Sequence, residues 1–267
     1  MSANPVPAHV APPAEPLPQH SLPGARTGRD PSRAIKRGPS RLPPEVVAAT
    51  QRERLYDGLV HTVAEKGYVN ARVEDICQAA GVTRPAFYAL FAGKEDAFVA
   101  TYRYGTEVLF ATTEAAHYSV EPWQTSVRYG LRALLTTLAS VPTFATMAVV
   151  EINAVGAVAR DEREKLLRRF GGFFLDAPRP SVDVELVPQE ELIAQVIGGM
   201  YANVYRHVAA GDVAGLPKLL PALTYFALVP FLGPEEAAAE ARKDVRTDFP
   251  LVCPPPKKRH RQDTRSA

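Results

Sequence analysis

The chain is predicted to be all-α, and three features of its 267 residues carry that prediction. Apolar residues recur at helical intervals through most of the middle of the chain, as in Leu55, Leu59 and Val63 or in Leu192, Val196, Met200, Val204 and Val208. Gly67, Gly81 and Pro142 fall where these periodic runs break, at positions suited to helix ends. The one alternating stretch, "VDVELV" at 182–187, is short and lies beside prolines, so it reads as loop.

Taken in order, residues 1–44 are rich in Pro, Ala, Ser, Gly and Arg, lack a hydrophobic period, and read as a disordered basic arm. From Pro43-Pro44 the pattern turns helical and runs to Gly67. A short helix fits 73–80, with Val73, Ile76, Cys77 and Ala80 on one face; another fits 84–91; a fourth starts at Lys94 and runs to about Ala115. These make one domain, 45–97. The next unit, 98–236, carries the stripe Val127, Leu131, Leu134, Leu135 and Leu138, closed by Pro142. A second run starts at Phe144 and leads into "RDEREKLLRRF", where "DEREK" (161–165) reads as a solvated face. After the Pro-rich break at 177–188 come helices over 192–208 and about 219–232, and residues 237–267 read as a largely disordered tail.

Net charge is only +2, but it is unevenly placed. Residues 1–44 hold six Lys/Arg (Arg26, Arg29, Arg33, Lys36, Arg37, Arg41) against Glu15 and Asp30, and residues 251–267 hold five against Asp263, leaving an acidic body. Basic ends suit contact with an anionic polymer, and they equally suit solvated tails, the reading given to "PPPKKRHR" at 254–261. Cys77 and Cys253 offer neither a disulfide framework nor metal-ligand spacing, as expected in a reducing compartment. The start lacks the charge and apolar run of a signal peptide, and "LLPALTYFALVPFL" (219–232) is too short to cross a bilayer, so a soluble, cytoplasmic protein is expected. His61, His117 and His207 each lack a second ligand at helical spacing, and no nucleophile elbow, P-loop or dinucleotide glycine pattern is present. Neither catalysis, metal nor cofactor is expected.

The most informative stretch is "ICQAAGVTRPAFYALFAGKED", 76–96. A glycine between two short helices permits a sharp turn through positive φ. Cys77, four residues before it, is small enough for the second helix to cross, and Phe87, six after it, fills the gap. Thr83 caps the second helix and Pro85 lies in its first turn, where a missing N–H is harmless. This is the packing logic of a helix-turn-helix, with Arg84 presented outward at the start of the recognition helix.

Residues 52–98 closely resemble the DNA-binding domain of the TetR/AcrR family of bacterial transcriptional regulators, through Gly67-Tyr68, Val73-x-x-Ile76, Ala80-Gly81-Val82-Thr83, Phe87-Tyr88 and Phe91-x-x-Lys94-Glu95. The remainder is similar in outline to actinobacterial-type members. The resemblance implies a homodimeric repressor of an inverted-repeat operator on double-stranded DNA, released by a small-molecule effector. It implies DNA contacts from Thr83, Arg84 and Pro85, a phosphate contact from Tyr88, and a backbone contact from Lys94. Arg72 stands where a Thr or Ser cap is usual, which weakens the cap and offers a phosphate contact. Ala89 and Leu90 stand where relatives often carry polar residues, a loss for which the basic arm could compensate.

Residues 98–236 would then bind effector and dimerise, the latter through 189–210 and 216–232, where Ala194, Gly198, Gly199 and Ala202 permit close helix approach. Glu151, in the apolar run "TFATMAVVEINAVGAVA", suits an effector pocket, a buried ion pair with Arg128 or Arg132, or an exposed face. Trp123, Phe144, Met147 and Tyr201 are the other candidates for a pocket, though such residues also build solid cores. A constitutive DNA-binding protein without effector is the alternative, and an open or filled space near Glu151 separates the two.

Overall fold

The computed structural model describes residues 21–30, 43–178 and 187–243, all helix, turn or loop. The alternating stretch at 182–187 falls almost wholly outside them, as do the tract at 254–261 and Arg33, Lys36, Arg37 and Arg41.

Helix α1 (Pro44–Lys66) begins on a proline and ends at Gly67, whose φ of 75° turns the chain while its N–H donates to Val63 O at 2.9 Å. Helix α2 (Val73–Ala80) is closed at its start by the Asp75 carboxylate, which accepts the Arg72 N–H at 3.0 Å. Gly81, at φ 61° and ψ 37°, makes the left-handed turn into α3 (Arg84–Leu90). Ile76, Phe87, Leu59 and Phe98 fill the space between these helices.

Helix α4 (Lys94–His117) is 24 residues long, about 36 Å at the α-helical rise. It belongs to both halves of the molecule, so the boundary expected at 97/98 falls within it. Helix α5 (Trp123–Ser140) packs along it and leads into the short α6 (Pro142–Ala145). A π-helical turn (Thr146–Val150) and a 3₁₀ turn (Glu151–Ala154) follow, then α7 (Ala157–Gly171), α8 (Gln189–Ala209) and α9 (Leu220–Ala241). Helix α9 breaks at Gly233, φ 79°, between Pro230 and Pro234. Beyond the break Glu240 is buried and pairs with Arg128 Nε of α5 at 2.8 Å, so the chain from 237 to 241 belongs to the fold and not to the expected tail.

Two contacts tie the halves together. The Phe144 ring lies on α4 where Gly105 leaves bare backbone: a Cβ there would sit 2.2 Å from Phe144 Cε2 and 3.1 Å from Pro23 Cδ. Glu151 Oε2 accepts the Tyr68 N–H at 2.6 Å, pinning the 3₁₀ turn to the α1–α2 connection.

The expected disordered arm is corrected at residues 21–30. Leu22, Pro23 and Gly24 are buried, and the Gly24 N–H donates to Asp57 Oδ1 at 2.7 Å. Composition conceals this because the fit rests on glycine backbone and not on an apolar stripe.

A helix-interior Gly→Ala change ordinarily stabilises by about 1 kcal/mol. Gly105→Ala should reverse that sign and cost about 1–3 kcal/mol, because the methyl must displace the buried Phe144 ring. Urea unfolding of both proteins checks it; an equally or more stable variant would show that Phe144 does not need the bare backbone.

Candidate nucleic-acid interface and interior cavity

Thr83, Arg84, Pro85 and Tyr88 form an exposed strip on α3, and Arg72 is exposed at the start of α2. Thr83 Oγ1 accepts the Ala86 N–H at 3.4 Å, which sets the direction in which α3 begins. Tyr88 is 51% exposed while its ring meets the buried Phe87 edge-on, centroids 5.3 Å apart, so the packing fixes the ring and leaves the hydroxyl outward. Guanidinium and hydroxyl donors on a helix of this kind suit base edges and phosphates. Of the two positions expected to lack polar contacts, Ala89 is exposed, whereas Leu90 is half-buried against the core and faces away from that strip.

Lys94 is placed differently from the DNA-contact expectation. Its ammonium donates to Tyr68 O at 2.7 Å, Ala71 O at 2.9 Å and Val69 O at 3.4 Å, and lies 4.2 Å from the Tyr68 ring centroid. With all three donors engaged, it fastens the α1–α2 connection to α4. Burial pulls its pKa down, as expected for a cation held against carbonyls with no carboxylate partner.

A cavity of about 110 Å³ lies within the second half. Tyr102, Thr106, Leu109, Thr113 and His117 line it from one face of α4, a run of about 22 Å at the helical rise. The opposite walls come from α5, Ala148-Val149 of the π turn, α7, Phe173-Phe174, α8 and Leu223. The lining is almost wholly apolar in effect. Thr106 and Thr113 donate their hydroxyls to Tyr102 O and Leu109 O, both on α4, and Tyr201 donates to Val149 O at 3.0 Å. Among the described residues, His117 and Arg163 line the cavity and each holds a buried ring or guanidinium nitrogen, Nδ1 and Nε, without a hydrogen-bond partner. His117 stacks on Phe173, centroids 4.6 Å apart, and burial pushes its pKa down. Arg163 sits toward the other end, where it acts on the buried Tyr102 hydroxyl, itself pushed above the ordinary phenol range by burial.

Of the five residues expected at a pocket, only Tyr201 lines the cavity. Phe144 and Met147 are fully buried in solid packing, because their side of the segment faces α1 and α4. Trp123 donates Nε1–H to Phe173 O at 2.9 Å and packs edge-on against Phe174 and Phe231, one layer behind the wall. Glu151 is committed to Tyr68, which replaces all three environments expected for it. Arg163 corrects the solvated reading of "DEREK": it reaches inward and donates to Asn153 Oδ1. The α4 lining was missed, although Thr106, Thr113 and His117 at helical spacing inside an apolar helix signal a face that does not meet a solid core. No group of His, Cys, Asp and Glu able to hold a metal occurs among the described residues, and no single described helix is long and apolar enough to cross a membrane.

The structure thus joins a helix-turn-helix with an exposed donor strip, through one long helix, to a helical domain that encloses a cavity. Residues 55–101, the helix-turn-helix and the start of α4, match the family described as bacterial regulatory proteins, tetR family. No curated protein matches the chain. Among solved structures it is similar in fold to the fatty acid degradation regulator FadR from Bacillus halodurans, with 18% identity, a TM-score of 0.59, and 73% of this chain and 97% of that one covered. FadR from Bacillus subtilis, solved in complex with stearoyl-CoA, has 18% identity and a TM-score of 0.56 over 67% of this chain and 97% of that one. A TetR-like transcriptional regulator from Rhodococcus sp. RHA1 has 19% identity and a TM-score of 0.50 over 71% and 99%.

Tyr88→Phe should weaken DNA binding by about 1 kcal/mol or more, as for a lost hydrogen bond to a charged acceptor. Undiminished affinity in a fluorescence titration would remove Tyr88 from the interface. Lys94→Met should lower the thermal midpoint while leaving the slope of log affinity against log salt unchanged, since no phosphate contact is lost. A slope reduced by about one unit would return Lys94 to the phosphate-contacting set.

Proposed function

We propose that the chain is a homodimeric repressor that leaves an inverted-repeat operator when a long, mostly apolar small molecule fills the cavity. The observation that carries this reading is the cavity's course along α4. The helix that lines it for about 22 Å also opens, at Lys94, against the helix-turn-helix. A ligand whose affinity differs between two positions of α4 thereby shifts the spacing of paired recognition helices, and only that difference does work. A constitutive DNA-binding protein would be expected to have this space filled.

The effector class follows from the walls. A cavity lined by methyl and aromatic groups, with Arg163 and His117 among the few polar residues of its wall, suits an acyl chain with a polar end. The stearoyl-CoA complex of the Bacillus subtilis regulator supports the same chemistry. The dimer is supported by an exposed apolar face on α8 and α9: Ala194, Gly198, Ala202 and Tyr205 beside Ala222, Tyr225 and Phe226. Phe226 lies over Gly199, where a Cβ would come within 2.7 Å of its ring. Two recognition helices related by that face would enter successive major grooves of cytoplasmic DNA, with Thr83, Arg84, Pro85 and Tyr88 as contacts and Arg72 on a phosphate. The charges of the N-terminal arm support further contacts to the DNA backbone.

Selection of bound fragments from genomic DNA, followed by titration of the recovered duplex with stearoyl-CoA, tests the reading. Enrichment of one inverted repeat, released by stearoyl-CoA, is expected; absence of any enriched repeat would overturn it. Trp123, the only tryptophan, reports on the cavity wall. At Gly130 a Cβ meets nothing closer than His117 Cβ at 3.4 Å, so Gly130→Ala fits whereas Gly130→Phe must enter the bore. Gly130→Phe should abolish the stearoyl-CoA response of Trp123 fluorescence while operator affinity persists; an unchanged response would place the ligand elsewhere.

A further inference from the structure

Residues 21–30 run along α1, which holds both ends: the near end also meets α4 and α6 of the second half, and the far end lies on the turn after α2. At the near end Leu22 is buried and Pro23 meets the point where Phe144 lies on Gly105. Gly24, φ 84°, is wedged so closely that a Cβ would lie 2.5 Å from Val60 Cγ1 and 2.9 Å from Thr143 Oγ1, while its N–H is held by the buried Asp57 carboxylate. Midway, Arg26 O lies 2.9 Å from His61 Nε2. At the far end Gly28 sits flat on α2, where a Cβ would lie 2.8 Å from Ala79 O and 2.8 Å from Ala80 Cα. Arg54 of α1 clamps this end: its Nε donates to Gly28 O at 2.9 Å and its Nη2 to Gly81 O at 3.1 Å. Arg29 Nε donates to Gln78 O at 2.9 Å.

The segment therefore touches α6, α4 and α1 at one end and the helix-turn-helix turn at the other. Arg54 bonds the segment and that turn with one planar group, so neither moves without disturbing the other. Thr143 and Phe144 open the same stretch, 142–154, whose Ala148 and Val149 form cavity wall.

We propose that residues 21–30 are a strap that couples the interior cavity to the recognition helix: it holds the helix-turn-helix turn in register with α6, and movement of α6 reaches Gly81 through it. The coupling part rests on the effector reading above; the holding part does not.

The test uses the full chain carrying Gly28→Val, which lifts the far end, or Leu22→Ser, which loosens the near end, with a chain lacking residues 1–20 as control. Affinity for the selected duplex is measured with and without stearoyl-CoA, together with Trp123 fluorescence. In wild type the two affinities should differ by roughly 5–150-fold, the usual range of coupled sites. In both strap variants that ratio should fall toward one while the fluorescence response and the salt slope persist; the truncated control should behave as wild type. A wild-type ratio in both variants overturns the coupling. Should stearoyl-CoA leave wild-type Trp123 unchanged, the effector reading fails and the strap is judged by hydrogen exchange. Peptides over 73–90 should then exchange faster in both variants and those over 192–208 should not; unchanged exchange over 73–90 overturns the strap as well.

Discussion

The seating of the Phe144 ring on bare backbone at Gly105 is the close contact on which the placing of α6 against α4 depends. Helix α4 is common to the reading head and the hollow domain, and a shared helix transmits position only if its neighbours cannot slide on it. A ring pressed against a glycine is such a neighbour: any larger residue at 105 must push it away, and the ring in turn holds α6. From that point the first turns of α4 run to Lys94 and the carbonyls of the α1–α2 connection, and the later turns run along the cavity to His117. The two ends are remote, and the helix between them is held at Gly105 as well as at Lys94.

How much of this was legible in the sequence depends on the range of the interaction concerned. The helix-turn-helix was readable because its determinants are local: left-handed Gly81, capping Thr83, Pro85 in a first turn and Phe87 six residues on. Lys94 is placed against carbonyls and not outward, a difference the sequence cannot show, because a lysine opening a helix looks the same whether it faces phosphate or the carbonyls of residues 68–71, more than twenty positions away. Phe144 and Met147 were assigned to a pocket because periodicity gives the inward side of a helix, not whether a helix or a void lies opposite. Arg163 was hidden in a charged run for the converse reason. The strap was hidden because its fit depends on what Gly24 and Gly28 lack, and composition reads glycine as freedom.

The polar groups that hold the helix-turn-helix, the strap and the junction share one pattern. Asp57 and Glu151 each accept a backbone N–H from a distant segment, Gly24 and Tyr68 respectively, and Lys94 and Arg54 each donate to backbone carbonyls. Side chain to backbone contacts of this kind fix the path of the chain and are insensitive to which residues occupy it. Buried unpaired, any of these groups would cost more than its bond contributes, so each contact tends to be fully made or fully broken. A junction of such contacts has discrete arrangements and does not deform gradually, the property a two-state response requires.

The stretch 142–154 is where the two states would differ. It passes from α6 through a π turn to a 3₁₀ turn, three helical geometries in thirteen residues, and π turns inside helices often mark functional positions. One side of it, Ala148 and Val149, is cavity wall; the other, Phe144 and Glu151, is the junction. Val149 O further accepts the hydroxyl of Tyr201, which ties the π turn to α8 and to the exposed face proposed for the dimer. An acyl chain that displaced Ala148 and Val149 would therefore act at once on α8, on Tyr68 through Glu151, and on the strap through Thr143. An irregular segment suits this position better than a regular helix. The Glu151 N–H there already has two partners, Met147 O and Thr146 O, four and five residues back, so a small rotation could exchange one for the other without leaving the group unpaired.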